Sequence, residues 1–403
     1  MTVDTASLYI HVPFCAGLCD YCDFFSVPVQ PGKPETLAET LVDTFVDAVL
    51  GDLEDQLALF GIARVPTVYI GGGTPSVLGA GRMRRLLAGL KTLLPARPVE
   101  FTVEANPESI NDAFLRACLD GGVSRLSLGV QTFHEPSRQG IGRAGGRESL
   151  SRRLSLVNRY FQGAFSADLI TGLPFQTDAV LSRDIERLLD FRPAHVSLYS
   201  LILEPDTVLG RRVSTGGAAV SLPTEDQADA LWIRGRDMLE GAGLGQYEVS
   251  NFALPGRECV HNIRYWRMEN WLGAGPSASG TICGDEGGRR FTYPPDLDGY
   301  LAAPRPLIRI AREDRLSPDD MMRESLLMGF RYRGGPDRHR FERRFGRDIA
   351  DCIPGTIARW RERGFFRNGG SESDLAPSRD GLLFVNGFLR DAFAEMDSLD
   401  QSG

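Results

Sequence analysis

The chain has 403 residues, 42% of them hydrophobic and 24% charged, with a formal net charge of -8. This composition fits a globular protein with one large domain and room for a smaller one, and the negative balance removes any electrostatic case for a nucleic-acid partner. No run approaches the ~18 apolar residues of a membrane span, and the start, MTVDTASLYIHVPF, has no basic region leading into an apolar one, so no secretory signal is expected.

In chain order, short β-branched and aromatic runs alternate with helical stretches. SLYIHV (7–12) leads into CAGLCDYCDF (15–24), and a long amphipathic stretch follows with Leu37, Leu41, Phe45, Val49, Leu53 and Leu57 at helical spacing. TVYIGGG (67–73), EFTVEAN (100–106), RLSLGVQ (125–131), FSADLITG (165–172) and HVSLYSLI (195–202) read as further strands, with helical spacing at 109–119, 148–160 and 178–189. Such alternation predicts βαβ units and a parallel sheet. The strand ends carry reactive or backbone-exposing residues: the cysteines, Gly71 to Gly73, Glu104, Gln131, Asp168, Tyr199 and Ser200. A (β/α) barrel gathers all its strand ends on one face, whereas a doubly wound sheet concentrates them at one switch point. An α/β fold is therefore expected, an incomplete six-stranded TIM-like barrel over residues 1–220.

Past residue 220 the rhythm changes. A helix is expected over 224–241 and a strand over 246–251. An irregular aromatic and glycine-rich segment follows over 255–280, then a Gly/Pro-rich linker over 284–306. Residues 221–305 thus read as an extension of the barrel. The patterns MMRESLLMGF, HRFERRFG and IARWRERG, with a hairpin at GGSESD, predict a small, mainly helical, winged-helix-like domain over 306–403. Its arginines are interspersed with acidic residues, as on a solvated helix face.

Seven cysteines, an odd number in a long chain, point to a reducing cytoplasm, with peripheral contact the most a membrane would have. Cys15, Cys19 and Cys22 stand at CxxxCxxC spacing. Three thiolates suit three irons of a [4Fe–4S] cluster with the fourth iron open. The same spacing admits a closed zinc site completed by His11 or Cys259.

The ordered set LYIHVPFCAGLCDYCDF, GGGTPS, VEANP, SLGVQTF, GR, DLITGLPFQT, SLYSLILEPDT, YEVSNFALPGRECVHNIRYW and LLMGFRYRGG resembles the radical SAM family. More narrowly, it resembles the oxygen-independent coproporphyrinogen III oxidase-like group, over most of the chain. The resemblance implies a [4Fe–4S] cluster on Cys15, Cys19 and Cys22 whose open iron chelates S-adenosylmethionine (SAM). It implies that Gly72, Gly73, Thr74 and Glu104 meet the SAM amino end and that Arg143 pairs with its carboxylate. Gln131 and Asp168 would bind the ribose, Ile202 would border the adenine, and Tyr9 and Tyr21 would flank the cofactor. Tyr21, Phe24 and Phe25 would keep water from the cluster. The chemistry implied is one-electron cleavage of SAM to a 5′-deoxyadenosyl radical, fed by a flavodoxin- or ferredoxin-class donor.

Two features separate the branches of that group. Oxidases proper carry a fourth cysteine two positions after the third, where this chain has Phe24, as in the haem-chaperone branch. ECVHNIRYW matches the HNxxYW haem signature of that branch through His261, Asn262, Tyr265 and Trp266, with Cys259 a second candidate ligand. The resemblance thus implies haem as a third cofactor and haem-acceptor proteins as partners. Alternatives are coproporphyrinogen III oxidation and a methyl transfer. Ala144, Gly145 and Gly146 stand where the group often has a histidine, and Ser279 replaces another; both departures lie toward the substrate side.

Overall fold

The structure is a computed structural model describing residues 3–29, 37–215, 221–284, 287–367 and 374–400. Six strands lie side by side in sequence order, each parallel to the next: β1 (Ser7–Val12), β2 (Thr67–Gly72), β3 (Glu100–Ala105), β4 (Arg125–Gln131), β5 (Phe165–Thr171) and β6 (His195–Ser200). The crossovers run through α1 (Leu37–Phe60), α2 (Gly79–Leu93), α3 (Asp112–Asp120), α4 (Glu135–Gly140) with α5 (Arg147–Phe161), and α6 (Asp178–Leu189). Helix α2 was not expected. Two glycines in its first turn lower its helix propensity, and packing of Met83, Leu86, Leu87 and Leu90 overrides them.

Each strand divides its side chains between two environments. Leu8, Ile10, Val68, Ile70, Phe101, Val103, Val196 and Leu198 are fully or almost fully buried against the helices. The alternate positions point the other way and are polar: Ser7, Tyr9 and His11; Thr67 and Tyr69; Glu100, Thr102 and Glu104; Ser166 and Asp168; His195, Ser197 and Tyr199. A flat parallel sheet covered on both faces is apolar on both. Here Tyr199 on β6 feels the charge of Glu104, three strands away on β3, so the sheet curls around a polar lumen.

The sheet continues at both edges. Beside β6 lies β8 (Asn251–Ala253), antiparallel to it, and beyond that β7 (Gly245–Gln246), antiparallel to β8, so the single strand expected over 246–251 is two short ones joined by a turn. Beside β1 lies β9 (Trp271–Ala274), parallel to it, followed by the antiparallel β10 (Ser279–Gly284), β11 (Gly287–Thr292) and β12 (Arg312–Leu316). These elements correct two expectations. The stretch 255–280 is ordered into α9 (Val260–Trp266) and β9. The stretch 284–306 contributes β11 and α10 (Leu297–Ala302) to the main core rather than a linker, because Phe291, Tyr293, Leu297 and Tyr300 are buried there.

The expected helix over 224–241 is α8 (Glu225–Gly241), begun by a capping box between Thr224 and Gln227; before it comes α7 (Val208–Ser214). A second apolar core spans Met322 to Met396. It is built by α11 (Pro318–Gly329), α12 (Arg338–Phe345), α13 (Ile349–Cys352), α14 (Pro354–Glu362) and α15 (Val385–Asp400). At its centre Phe365 stacks on Phe388 with ring centroids 4.3 Å apart. The GGSESD hairpin lies outside the described residues. Main-chain bonds from Val249 to Arg331 (3.1 Å) and from Arg333 to Tyr247 (2.9 Å) dock this helical unit on the β7–β8 turn. Among the described residues no helix is long and apolar enough to cross a membrane.

Candidate functional site

The C-terminal ends of the strands form one face, and the cysteine loop lies over it. Phe14–Cys15 pairs in parallel with Val27–Pro28, closing the loop at its base. Its middle is tied down at Asp20, whose backbone N–H donates to Ile141 O (3.0 Å) and whose carbonyl accepts from Leu209 N (2.7 Å). The Asp20 carboxylate meets Arg212 at 2.9 Å. The three cysteines are free and half-buried. Cys15 Sγ lies 3.4 Å from Thr74 Oγ1, and Arg143 Nη1 donates to Cys19 Sγ at 3.4 Å. Burial pushes the Cys22 thiol up to about 11.

Beneath the loop, the glycine run has no room for side chains. A Cβ on Gly71 would meet the Glu104 carboxyl at 2.9 Å, one on Gly72 the His11 ring at 2.7 Å, and one on Gly73 the Phe14 carbonyl at 2.8 Å. Gly72 also has φ +105°, open to glycine alone at little cost. Its N–H donates to Glu104 Oε2 (3.2 Å), and Tyr69 OH donates to Oε1 (2.6 Å). Burial raises the Glu104 carboxyl to about 7, with the nearby Asp168 charge adding to the shift and those two donors opposing it. Asp168 is raised to about 6, again by burial, with Ser197, Arg125 and Arg143 pulling it back.

Several polar atoms around this space are buried without a partner among the described residues: Gln131 Oε1, Asp168 Oδ1 and Arg143 Nε. Gln131 is also held at φ +65°, at the register shift between Gly129 and Gln131. Arg143 sits on a loop organised by the buried Arg138. That guanidinium bonds the carbonyls of Val130 (3.0 Å), Thr132 (3.0 Å) and Gly145 (2.8 Å), and Glu108 at 2.6 Å. Gly145 has φ +80°, and a Cβ there would strike Glu108 at 2.7 Å, so this turn is built for glycine. Arg125, Arg138, Ser127 and Ser197 were not singled out from the sequence, although all but Arg138 sit at alternating polar positions within predicted strands.

The cysteine loop and the strand ends thus bring Tyr9, Tyr21, Gly72, Gly73, Thr74, Glu104, Gln131, Arg143 and Asp168 to one end of the barrel. Ile202 lies on its rim, 70% exposed. Phe24 is 64% exposed, while Tyr21 packs beside Ile141, Ile170 and Leu209. Among the described residues the zinc alternative finds no fourth ligand. His11 is engaged by Tyr9 OH (3.1 Å) and Phe25 O (2.9 Å), and Cys259 lies at the other end of the barrel against Glu100 (3.4 Å).

At that other end, α9 plugs the lumen. Glu100, the first residue of β3, accepts from the backbone N–H of Val260 (3.0 Å) and His261 (2.9 Å), holding the start of the helix. His261 is 1% exposed; its Nδ1 lies 2.8 Å from Thr67 Oγ1, and burial lowers its imidazole to about 3. Its ring packs against Tyr69 at 5.1 Å and edge-on to Tyr265 at 4.7 Å, and Tyr265 meets Trp271 at 4.8 Å. Asn262, Tyr265 and Trp266 are half-buried. His261 Nε2 and Trp266 Nε1 have no partner among the described residues. The four signature residues therefore share one helix but present no open face, and the arrangement as folded does not fit a haem.

Strand ends bearing three cysteines, a glycine cradle and unpaired polar groups define a radical SAM barrel. The Radical SAM superfamily model matches residues 9–191 and the HemN C-terminal domain model residues 316–383. The heme chaperone HemW of Lactococcus lactis is 36% identical over 340 residues, 84% of this chain and 85% of that protein. HemW of Bacillus subtilis is 32% identical over 94% of this chain and 97% of its own. Coproporphyrinogen III oxidase (HemN) from Escherichia coli shares the fold, with a TM-score of 0.80 at 22% identity over 97% of this chain and 90% of its own. The chain belongs to the HemW family of radical SAM proteins, and membership implies a [4Fe–4S] cluster and SAM.

Proposed function

We propose that this protein binds haem and passes it to acceptor proteins, using a radical SAM barrel as its scaffold. The observation that carries the reading is the similarity along nearly the whole chain to proteins named heme chaperones, supported by Phe24 and an intact HNxxYW segment.

The barrel's open end is where the two implied cofactors would sit. Cys15, Cys19 and Cys22 would hold the cluster. Gly72, Gly73 and Thr74 would meet the amino end of SAM, and Glu104 would offer its ammonium a buried carboxylate. Arg143 would take the SAM carboxylate, and the unpaired Gln131 and Asp168 oxygens would accept from ribose hydroxyls. Tyr9 and Tyr21 would border the cofactor and Ile202 the adenine. When bound, cluster and SAM together supply one-electron chemistry. The chain's own contribution is to orient them and to tie the loop at Asp20. A flavodoxin- or ferredoxin-class donor would supply the electron.

Haem is the third ligand. For His261, Asn262, Tyr265 and Trp266 to receive it, α9 must leave the floor, since His261 is sealed as folded. Haem titration into the anaerobically reconstituted protein tests the reading. A saturable Soret shift is expected, and its loss in His261→Ala would assign the signature segment. No Soret shift, or SAM cleavage driven by coproporphyrinogen III, overturns the haem-chaperone reading.

A further inference from the structure

Outside the barrel floor, between α9 and the helical C-terminal unit, lies a groove of about 380 Å³ lined by Thr5, Arg64, Pro66, Arg264, Glu269, Asn270, Arg340 and Arg344. Four of its eight lining residues are arginines and one is acidic. Glu269 is shared by two of them, at 2.6 Å from Arg264 and 3.1 Å from Arg340. Arg64 is paired with Asp4 at 2.8 Å on the rim, and Asp337 lies 3.7 Å from Arg340 but also caps α12. Arg344, one turn after Arg340 on α12, has no acidic partner among the described residues. Arg264 is driven down by burial, and the charges of Arg340 and Arg267 push it further while Glu269 opposes. Guanidiniums crowded into a concavity repel one another unless an anion joins them, and their planar N–H forks match carboxylate and phosphate oxygens.

We propose that this groove is a binding site for a small polyanion whose carboxylate or phosphate oxygens are taken by Arg264, Arg340 and Arg344. The site draws Arg264 from α9 and Arg340 with Arg344 from α12, so an occupant would bridge barrel and C-terminal unit. It is also wired to the lumen. Arg264 Nε donates to Ser7 Oγ (2.8 Å), Thr67 Oγ1 donates to the same Ser7 oxygen (2.8 Å), and Thr67 touches His261 Nδ1 (2.8 Å). A second, smaller cleft shares Arg340 and Arg344 and is lined by Trp266, whose indole N–H is buried without a partner among the described residues.

Calorimetric titration of the full chain with citrate and with inorganic phosphate, at ionic strength held constant with chloride, tests the site. One anion per chain is expected to bind. R344Q, which breaks no ion pair, should weaken it roughly tenfold or more without moving the melting temperature, and E269Q should tighten it. Binding of citrate alone assigns a carboxylate ligand, and binding of phosphate alone a phosphate ligand. Saturable binding of neither, or binding unchanged in both R344Q and R340Q, overturns the proposal.

Discussion

At the end of the barrel where the strands finish, Gln131, Asp168 and Arg143 keep buried polar atoms unpaired, and a backbone strained at Gln131 and emptied of side chains at 71–73 surrounds them. At the end where the strands begin, Glu100, Thr67 and Ser7 pair off with α9 and its neighbours, and the unpartnered atoms there, His261 Nε2 and Trp266 Nε1, sit on the plug helix rather than on the strands. An unpartnered buried polar atom costs about 1–3 kcal/mol. The open end is therefore held ready for ligands at the expense of stability, and the floor returns some of that stability. The same six strands serve both purposes because most of their inward positions are polar, from Ser7 and Thr67 at one end to Glu104 and Asp168 toward the other.

The sharpest way to break this contrast is at the cysteines. Replacing Cys15, Cys19 or Cys22 by Ala should abolish cluster incorporation, read as iron and sulfide content after anaerobic reconstitution, while the melting temperature stays within a few degrees. Next is Arg143→Ala, which removes the charge beside Cys19. SAM affinity should fall by about 2–3 kcal/mol, roughly 30- to 150-fold, measured by equilibrium dialysis.

At the floor, His261→Ala removes a packed, hydrogen-bonded ring and should cost about 2–3 kcal/mol of unfolding free energy. Denaturant melts would show this, with SAM affinity changed little; the reverse pattern would erase the distinction between the ends.

The smallest effect is set by pH. Glu104, titrating at about 7 in the folded protein, is ionised at pH 8 and mostly protonated at pH 6. SAM binding should therefore weaken roughly tenfold over that interval, and Glu104→Gln should flatten the profile. The stability sign is opposite. A carboxyl that holds its proton more tightly folded than unfolded stabilises the apo protein at low pH, and that contribution is lost as pH rises from about 4.5 to 7.

Much of this was legible in the residues. The six strands read clearly because β-branched runs of six or seven residues ended in chemistry-bearing positions, and the cysteine spacing with its ordered downstream motifs located the open end. Helix α2 was hidden by its glycines. The strands β9 and β11 were hidden because glycine in a strand reads as a turn; Gly273 and Gly280 are needed where β9 and β10 approach too closely for a Cβ, within 2.3 Å and 2.9 Å of the facing backbone. The floor was the hardest to foresee. HNIRYW carries no mark of whether its histidine faces solvent or the lumen, and only the pairing of β9 with β1 turns α9 inward.

That pairing also has a bearing on how the protein is made. Ser7 is matched to Trp271, two thirds of the chain later, so the flank of the first strand stays open until most of the polypeptide exists. At a synthesis rate of ~5–20 residues per second, roughly 10–50 s separate the emergence of the three thiols from that of the strand completing the sheet beside them. For that interval the first strand, from which the cysteine loop springs, lacks its neighbour on one side. A partner that shields nascent thiols, or an anaerobic expression regime, should raise the yield of intact chain more than it would for a protein whose cysteines come last.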